Sequence, residues 1–362
     1  MNDRTVLLLT ALEGPERQVL LAHLPPSTIV HHPDTHTDYY VTQLPTASGE
    51  VRVVLGRTDQ TNVNASLETG QALTYFQPHY AFFVGVAGGL KDVDIGDLVI
   101  GDDVYGYERG KATADGFSAR PGVGASSYQL ERAATAFSQS VEWRTIAARL
   151  PTAAFAKPVQ IYTGTIASGE KVDASVKSEL HQFLRVHCGH ALAIEMEGYG
   201  FLKAARQHPT TQALLLRGIS DLVEDKEGAD RRGSQPYASA NAAAFVVAFV
   251  QHLYAASAPP RPPTADEARR LAELGSELYA GGIREADIWN RAGGRVADIA
   301  LGANGRMQWL DAARHLRNGG RGTTFGQLLA QMLEDHPSNQ DLTELRVRYE
   351  SGPGGNFSQP HE

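Results

Sequence analysis

Three short segments put acidic side chains where apolar runs end. Ala193-Ile-Glu-Met-Glu-Gly-Tyr199 sets Glu195 and Glu197 two residues apart, Leu214-Leu-Leu-Arg-Gly-Ile-Ser-Asp221 runs into a Ser-Asp pair, and Thr10-Ala-Leu-Glu13 ends on Glu13. A carboxylate at the first segment can accept both vicinal hydroxyls of a ribose, and its charge can stabilise a cationic sugar. Asp221 can protonate a departing base, which leaves far more easily with a proton on its ring, and Ser220 can orient that acid. Glu13 can activate an attacking water. These are the parts needed to break the bond between a nucleobase and its ribose. Each also has a plainer reading. Glu195 and Glu197 can complement a helix N-terminus, Ser220-Asp221 can be an Asx turn, and Thr10 with Glu13 has capping-box spacing before Pro15. A fourth segment, Val84-Gly-Val-Ala-Gly-Gly-Leu90, is a glycine turn whose backbone N–H groups at Ala87 and Gly88 can approach an anion or a ribose, or simply end a strand.

Such residues need strands to hold them. Short apolar runs at Val6–Thr10, Val51–Leu55, Ala81–Val86, Leu98–Ile100, Val159–Ile166, Ala191–Ile194 and Ala213–Leu216 predict buried strands. Helix-length stretches lie between several of them: Pro15–Leu24, Asn64–Phe76, Gln129–Leu150 and Glu197–Arg206, with Asn241–Tyr254 as a closing helix. The alternation predicts an α/β domain over residues 1–255, a mainly parallel sheet flanked by helices, with ligands at the carboxyl ends of the strands. Four prolines between Ala256 and Pro263 mark a linker. A small all-α domain follows over 264–350, opening with the capping-box pattern Thr264-Ala-Asp-Glu267, and 351–362 forms a disordered tail.

Composition narrows the function. The 362-residue chain has a formal net charge of −8, which argues against an obligate nucleic-acid partner. Its one cysteine, Cys188, excludes an intramolecular disulfide framework and fits a reducing cytoplasm. The short apolar start lacks a signal peptide's long core, and no stretch approaches the roughly 18 apolar residues that span a bilayer, so no membrane association is expected. His31, His32 and His36 match no standard zinc spacing, and neither a metal nor another cofactor is expected. Cys188, beside His187 and His190, reads as a bland thiol, because no oxyanion turn accompanies it.

Taken in order, GVAGGL, IASGEKV at Ile166–Val172, AIEMEGYG and LLRGISD resemble the purine nucleoside phosphorylase and uridine phosphorylase superfamily, and most of all its methylthioadenosine/S-adenosylhomocysteine nucleosidases. The resemblance covers about 250 residues. It implies that Met196 and Glu197 hold the ribose, that Asp221 hydrogen-bonds and protonates the purine, and that Glu13 activates water. Glu195, Ser220, Ala87, Gly88, Ser168, Gly169 and Val172 complete the implied substrate site. The chain departs from the nucleosidases in three places. Val86 stands where many have a serine, Ser168-Gly-Glu-Lys-Val172 lacks the aromatic residue that often packs on the base, and Gly56-Arg57-Thr-Asp-Gln-Thr-Asn62 is not their short glycine loop. Arg17 and Arg57 can meet phosphate, and the polar loop Tyr105–Arg120, with Arg109, Lys111 and Arg120, reads either as solvated surface or as a lid over a polyphosphate.

The expected substrate is therefore a purine nucleoside or nucleotide, ATP included, hydrolysed with release of the base, adenine above others. Phosphorolysis on the same scaffold and a non-catalytic nucleotide sensor are the rivals. Related domains assemble as dimers, trimers or hexamers, so a homo-oligomer is expected. Residues 264–350 carry 11 Arg, no Lys and 13 Asp or Glu, a balanced surface suited to a protein partner. Their order of elements resembles the effector-associated domains of bacterial conflict systems, the first type in particular, which implies pairing with another protein carrying a similar domain.

Overall fold

The computed structural model describes residues 4–114, 116–150, 158–173, 175–223, 233–255, 262–299, 302, 304–320 and 322–351. It divides into two compact units, Met1–Ser257 and Ala258–Glu362. Most of the expected linker (256–261) and all but the first residue of the expected tail (352–362) lie outside the described residues.

In the first unit the apolar runs become strands, most of them longer than the runs themselves. They are β1 Thr5–Thr10, β2 Thr28–His31, β3 Asp38–Thr46, β4 Gly49–Arg57, β5 Tyr80–Gly89, β6 Leu98–Gly106, β7 Gly110–Thr113, β8 Gly116–Ala119, β9 Gly122–Ala125, β10 Ile161–Ser168, β11 Ala193–Glu195 and β12 Gln212–Asp221. The main sheet runs β11-β10-β6-β12-β5-β1-β4-β3-β2, with β9 on β6. Parallel pairs join β12, β5, β1 and β4, and also β6, β10 and β11; antiparallel pairs add the β2-β3-β4 meander and join β12 to β6. Because β11 also pairs antiparallel with the glycine end of β5, the strands β11, β10, β6, β12 and β5 close into a ring.

The helices are α1 Val19–Ala22, α2 Asn62–Phe76, α3 Tyr128–Ser138, α4 Val141–Ala147, α5 Glu179–His187, α6 Gly198–Ala205 and α7 Ser234–Ala255. Ser140 splits the expected Gln129–Leu150 helix by capping α4 with its side chain. Helix α7 corrects the expectation that no stretch is long and apolar enough to span a bilayer. It meets both tests, but 67% of its apolar window is buried inside the unit. Its Phe245, Val246 and Phe249 join Val6, Leu8, Phe82 and Leu216 in one core, and side chains of that size contribute about 1.5–3 kcal/mol each on burial. A second core, with Leu7, Val54, Phe83, Phe201 and Leu215, fills the opposite sheet face under α2 and α6.

The second unit is helical: α8 Ala265–Leu278, α9 Ile288–Arg291, α10 Gly305–Arg317, α11 Phe325–Asp335 and α12 Gln340–Ser351. The Thr264–Glu267 capping box is formed, and Thr324 with Gln327 makes another. Leu271, Leu274, Trp289, Trp309, Leu328, Leu329 and Met332 share its core, and the Trp309 indole N–H donates to the Tyr279 carbonyl at 3.0 Å.

Candidate active site

Strand β5 is the hub of the cleft. Its Gly85 is in register with Arg217 of β12, and its Gly88 with both Asp221 of β12 and Ile194 of β11. Three of the four motifs therefore converge on one glycine-rich strand end. The register slips between Ile219 and Asp221, and a bulge of this kind re-aims a side chain at a sheet's rim. Here it leaves Asp221 in the cleft wall, accepting hydrogen bonds from the Ser220 hydroxyl at 3.1 Å and the Val223 N–H at 3.1 Å. The cleft is lined by Leu12, Glu16, Gln60, Val86, Ala87, Gly88, Lys171, Val172, Asp173, Glu195, Met196, Glu197, Ser220 and Asp221, among others.

One guanidinium organises its floor. Arg217 is fully buried in the middle of β12, pairs with Glu195, and reaches Glu197 at 3.1 Å. A Cβ on Gly85 would run into both Arg217 Nη1 and Glu16 Oε1, so the missing side chain leaves the space that the cation and the third carboxylate both border. Glu195 is committed locally, accepting the N–H groups of Glu197 and Gly198 at the start of α6 as well as Arg217. That is the helix-complementing role, and it leaves Glu197 as the carboxylate of the pair toward the cleft. Glu197 accepts the Thr61 N–H at 3.2 Å. Thr61 holds φ at 90°, a costly conformation for a β-branched residue that the loop maintains beside this carboxylate. Burial pushes the Glu197 carboxyl up to about 8; Arg217 opposes the rise, and Glu195 and Glu16 add to it.

The structure does not bring Glu13 to the cleft. Glu13 is 40% exposed and pairs with Arg17, with Arg57 at 3.8 Å. The segment Glu13–Gln18 is a π-helix, whose wider turn replaces the ordinary α-helical start at Pro15 that capping-box spacing suggests. Glu16, three residues on, is the acid that turns inward. Its Oε2 accepts the N–H groups of Ala11 and Leu12 at 2.8 and 2.9 Å, and its Oε1 accepts that of Val86 at 2.9 Å. Burial raises the Glu16 carboxyl, against the Arg217 charge and these three donors.

The remaining candidates sort by place. Met196, Ala87, Gly88 and Val172 line the cleft, Val172 with 54% exposure. Ser168 and Gly169 line a neighbouring cleft instead, together with Arg109 and Lys203. The Ser168 hydroxyl donates to Asn62 Oδ1 at 2.9 Å and accepts the Tyr199 N–H, so it ties α2 to α6. Arg17 and Arg57 do not line the cleft: Glu13 pairs with both, Asp59 also pairs with Arg57, and Arg17 lies over the Tyr40 ring. Lys111 is exposed on the β7–β8 hairpin. His31 and Asp38 pair across the β2–β3 hairpin at 2.5 Å, and no group fit to hold a metal occurs among the described residues. Cys188 is buried, which pushes its thiol up and away from reactivity.

Sequence reasoning missed Glu16, Arg217, Gln60 and Asp173. Arg217 had a signal, since a lone charge inside the apolar run Leu214–Ile219 needs a buried carboxylate partner. Glu16 had none, because a π-turn has no reliable sequence signature.

Residues 5–251 match the model of the phosphorylase superfamily. The chain is 28% identical over 207 residues to the ATP nucleosidase Cap17 of Escherichia coli (strain KTE188), which is 53% of this chain and 39% of that protein, so it spans about two fifths of the curated relative. Among solved structures it is similar to 5'-methylthioadenosine/S-adenosylhomocysteine nucleosidase from Neisseria meningitidis, in complex with methylthio-immucillin-A, at 26% identity and a TM-score of 0.55, covering 69% of this chain and 99% of that one. Futalosine hydrolase of Helicobacter pylori shares the fold at 19% identity and a TM-score of 0.54, over 69% and 98% of the two chains.

Proposed function

The chain belongs to the phosphorylase superfamily, and from that premise we propose that it hydrolyses the N-glycosidic bond of a purine nucleoside or nucleotide. The observation that carries the reading is the Glu16 carboxylate, buried with three backbone N–H donors beside Arg217. This nest is the kind of place in which a phosphate nucleophile would be held. It is already filled by the protein's own anion, which favours water over phosphate. Raised by burial, Glu16 is also a better base than an exposed carboxylate.

In the proposed reaction Met196 and Glu197 hold the ribose, and the Glu197 charge, when present, stabilises the oxocarbenium-like centre. Asp221, oriented by Ser220, gives a proton to the purine ring as the C1′–N bond breaks and its electron pair leaves with the base. The oxygen of water bonds to C1′ while Glu16 takes its proton. Arg217 holds Glu195 and Glu197 in place, and its charge acts on Glu16 from nearby.

The finer reading is adenine as the leaving base and ATP among the substrates. It is supported by the name of the Escherichia coli relative and by Lys171, which lines the cleft, beside the neighbouring cleft that carries Arg109 and Lys203. Residues 264–350 then serve as an adaptor through which a partner with a similar domain controls an enzyme of a bacterial conflict system. Incubating the full chain with adenosine, inosine, methylthioadenosine, S-adenosylhomocysteine, AMP, ATP and NAD, with and without phosphate, tests the reaction. Hydrolysis yields free base and a reducing sugar (a 5′-phosphorylated one from a nucleotide) at a rate independent of phosphate. A phosphate-dependent ribose 1-phosphate product overturns it, as does substrate binding without base release.

A further inference from the structure

We infer that Asp173, Ser178 and His181 form a positioning device that fixes the base-binding wall of the cleft. The inference rests on the reading of the cleft as a purine nucleoside site. Asp173 lines the cleft, yet its side chain has no exposure at all, so the group it presents there is its main chain. The carboxylate points the other way. One oxygen accepts the Ser178 hydroxyl at 2.7 Å and the other meets His181 Nδ1 at 3.0 Å. Ser178 caps α5, its hydroxyl accepting the His181 backbone N–H at 2.8 Å, so the three residues close a loop of hydrogen bonds on the first turn of that helix.

This device sits on the side of the cleft that handles the base. Leu184 of α5 packs with Ile194 and with Val223, which donates its N–H to Asp221, and Val176 and Leu180 join the same cluster. The Glu16–Arg217 floor packs elsewhere, against Phe83 and Gly85. The wall also needs an anchor, because Val172 is half exposed and offers no ring to stack on a base. What remains for recognition is the peptide groups of Lys171–Asp173, and these read a base edge only if held still. A carboxylate this deeply buried is retained only with full hydrogen bonding, which the Ser178 and His181 contacts supply.

The test uses the full chain, with adenine binding by calorimetry and kcat and KM measured separately for adenosine and inosine. Asp173→Ala should weaken adenine binding and raise KM by about tenfold, the worth of one or two lost hydrogen bonds. It should also narrow the discrimination between the two nucleosides. His181→Ala should move both in the same direction by less. Asp173→Asn, which can keep both contacts in one His181 tautomer, should return binding to within about threefold of the parent. Unchanged adenine binding and unchanged discrimination in Asp173→Ala overturn the inference, as does an equal loss on both nucleosides that follows the fraction of folded protein. A parent chain that binds adenine but releases no base overturns the proposed hydrolysis instead, and the binding comparison still decides the role of Asp173.

Discussion

Two clusters of arginine and carboxylate lie on either side of the first turn after β1, and they differ mainly in their access to water. Glu13, Arg17, Arg57 and Asp59 make ion pairs at the surface, with Glu13 40% and Asp59 63% exposed. Exposed pairs of this kind are worth about 0–1 kcal/mol. Glu16, Glu195, Glu197 and Arg217 use the same residue types with 5% exposure or less. There burial costs enough to raise Glu16 and Glu197, and one cation must serve three acids. Residue type therefore does not decide which glutamate turns into the cleft. The π-turn of six residues decides that, burying Glu16 and leaving Glu13 at the surface.

Changes that break this contrast should rank by how deeply they cut into the buried cluster. Arg217→Ala leaves buried carboxylates without their cation and should cost about 3–5 kcal/mol of stability, read by urea denaturation, together with nearly all base release; a loss under about 1 kcal/mol would mean that the cluster is not held by this pair. Gly85→Ala should push apart Arg217 and Glu16, costing about 1–3 kcal/mol by overpacking and a larger share of activity than of stability. The pH profile sharpens the same point. With Glu197 raised to about 8, kcat/KM should climb through that pH as the carboxylate forms, and Glu197→Gln should abolish the limb. Since the folded chain holds that proton above the ordinary carboxylate range, stability should fall as pH rises from about 4.5 toward 8. A profile flat over roughly pH 6 to 9 contradicts the assignment. The smallest effect belongs to the surface cluster: Arg57→Gln should shift stability by no more than about 0.5 kcal/mol in a thermal melt.

The frame of this site was legible because its signals are local. Apolar runs ending in glycine or acid mark where β5, β11 and β12 stop, and strand ends are where ligands of such sheets bind. Asp221, Met196, Glu197, Ala87 and Gly88, from three of the four ordered motifs, come together in the cleft. What the sequence concealed depends on long-range register. The slip that aims Asp221, the pairing of Arg217 with Gly85, and the reach of the Gln60–Thr61 turn to Glu197 are set by how strands pair, not by any one strand. The β2–β3 hairpin was hidden for a related reason, since its mixed, half-exposed surface lacks the apolar run that marks a buried strand. Ser168 and Glu195 show the reverse: their types suit a ligand, but their hydrogen bonds go to α2 and α6.

On the proposed reaction, Glu16 rather than Glu13 supplies the base for water. This is tested most directly by comparing Glu16→Gln with Glu13→Gln for base release under saturating substrate, with adenine binding confirming that both variants are folded. Glu16→Gln should lower base release about 10²- to 10⁴-fold, and Glu13→Gln should change it by no more than about threefold. Equal losses, or a larger loss for Glu13→Gln, would contradict it.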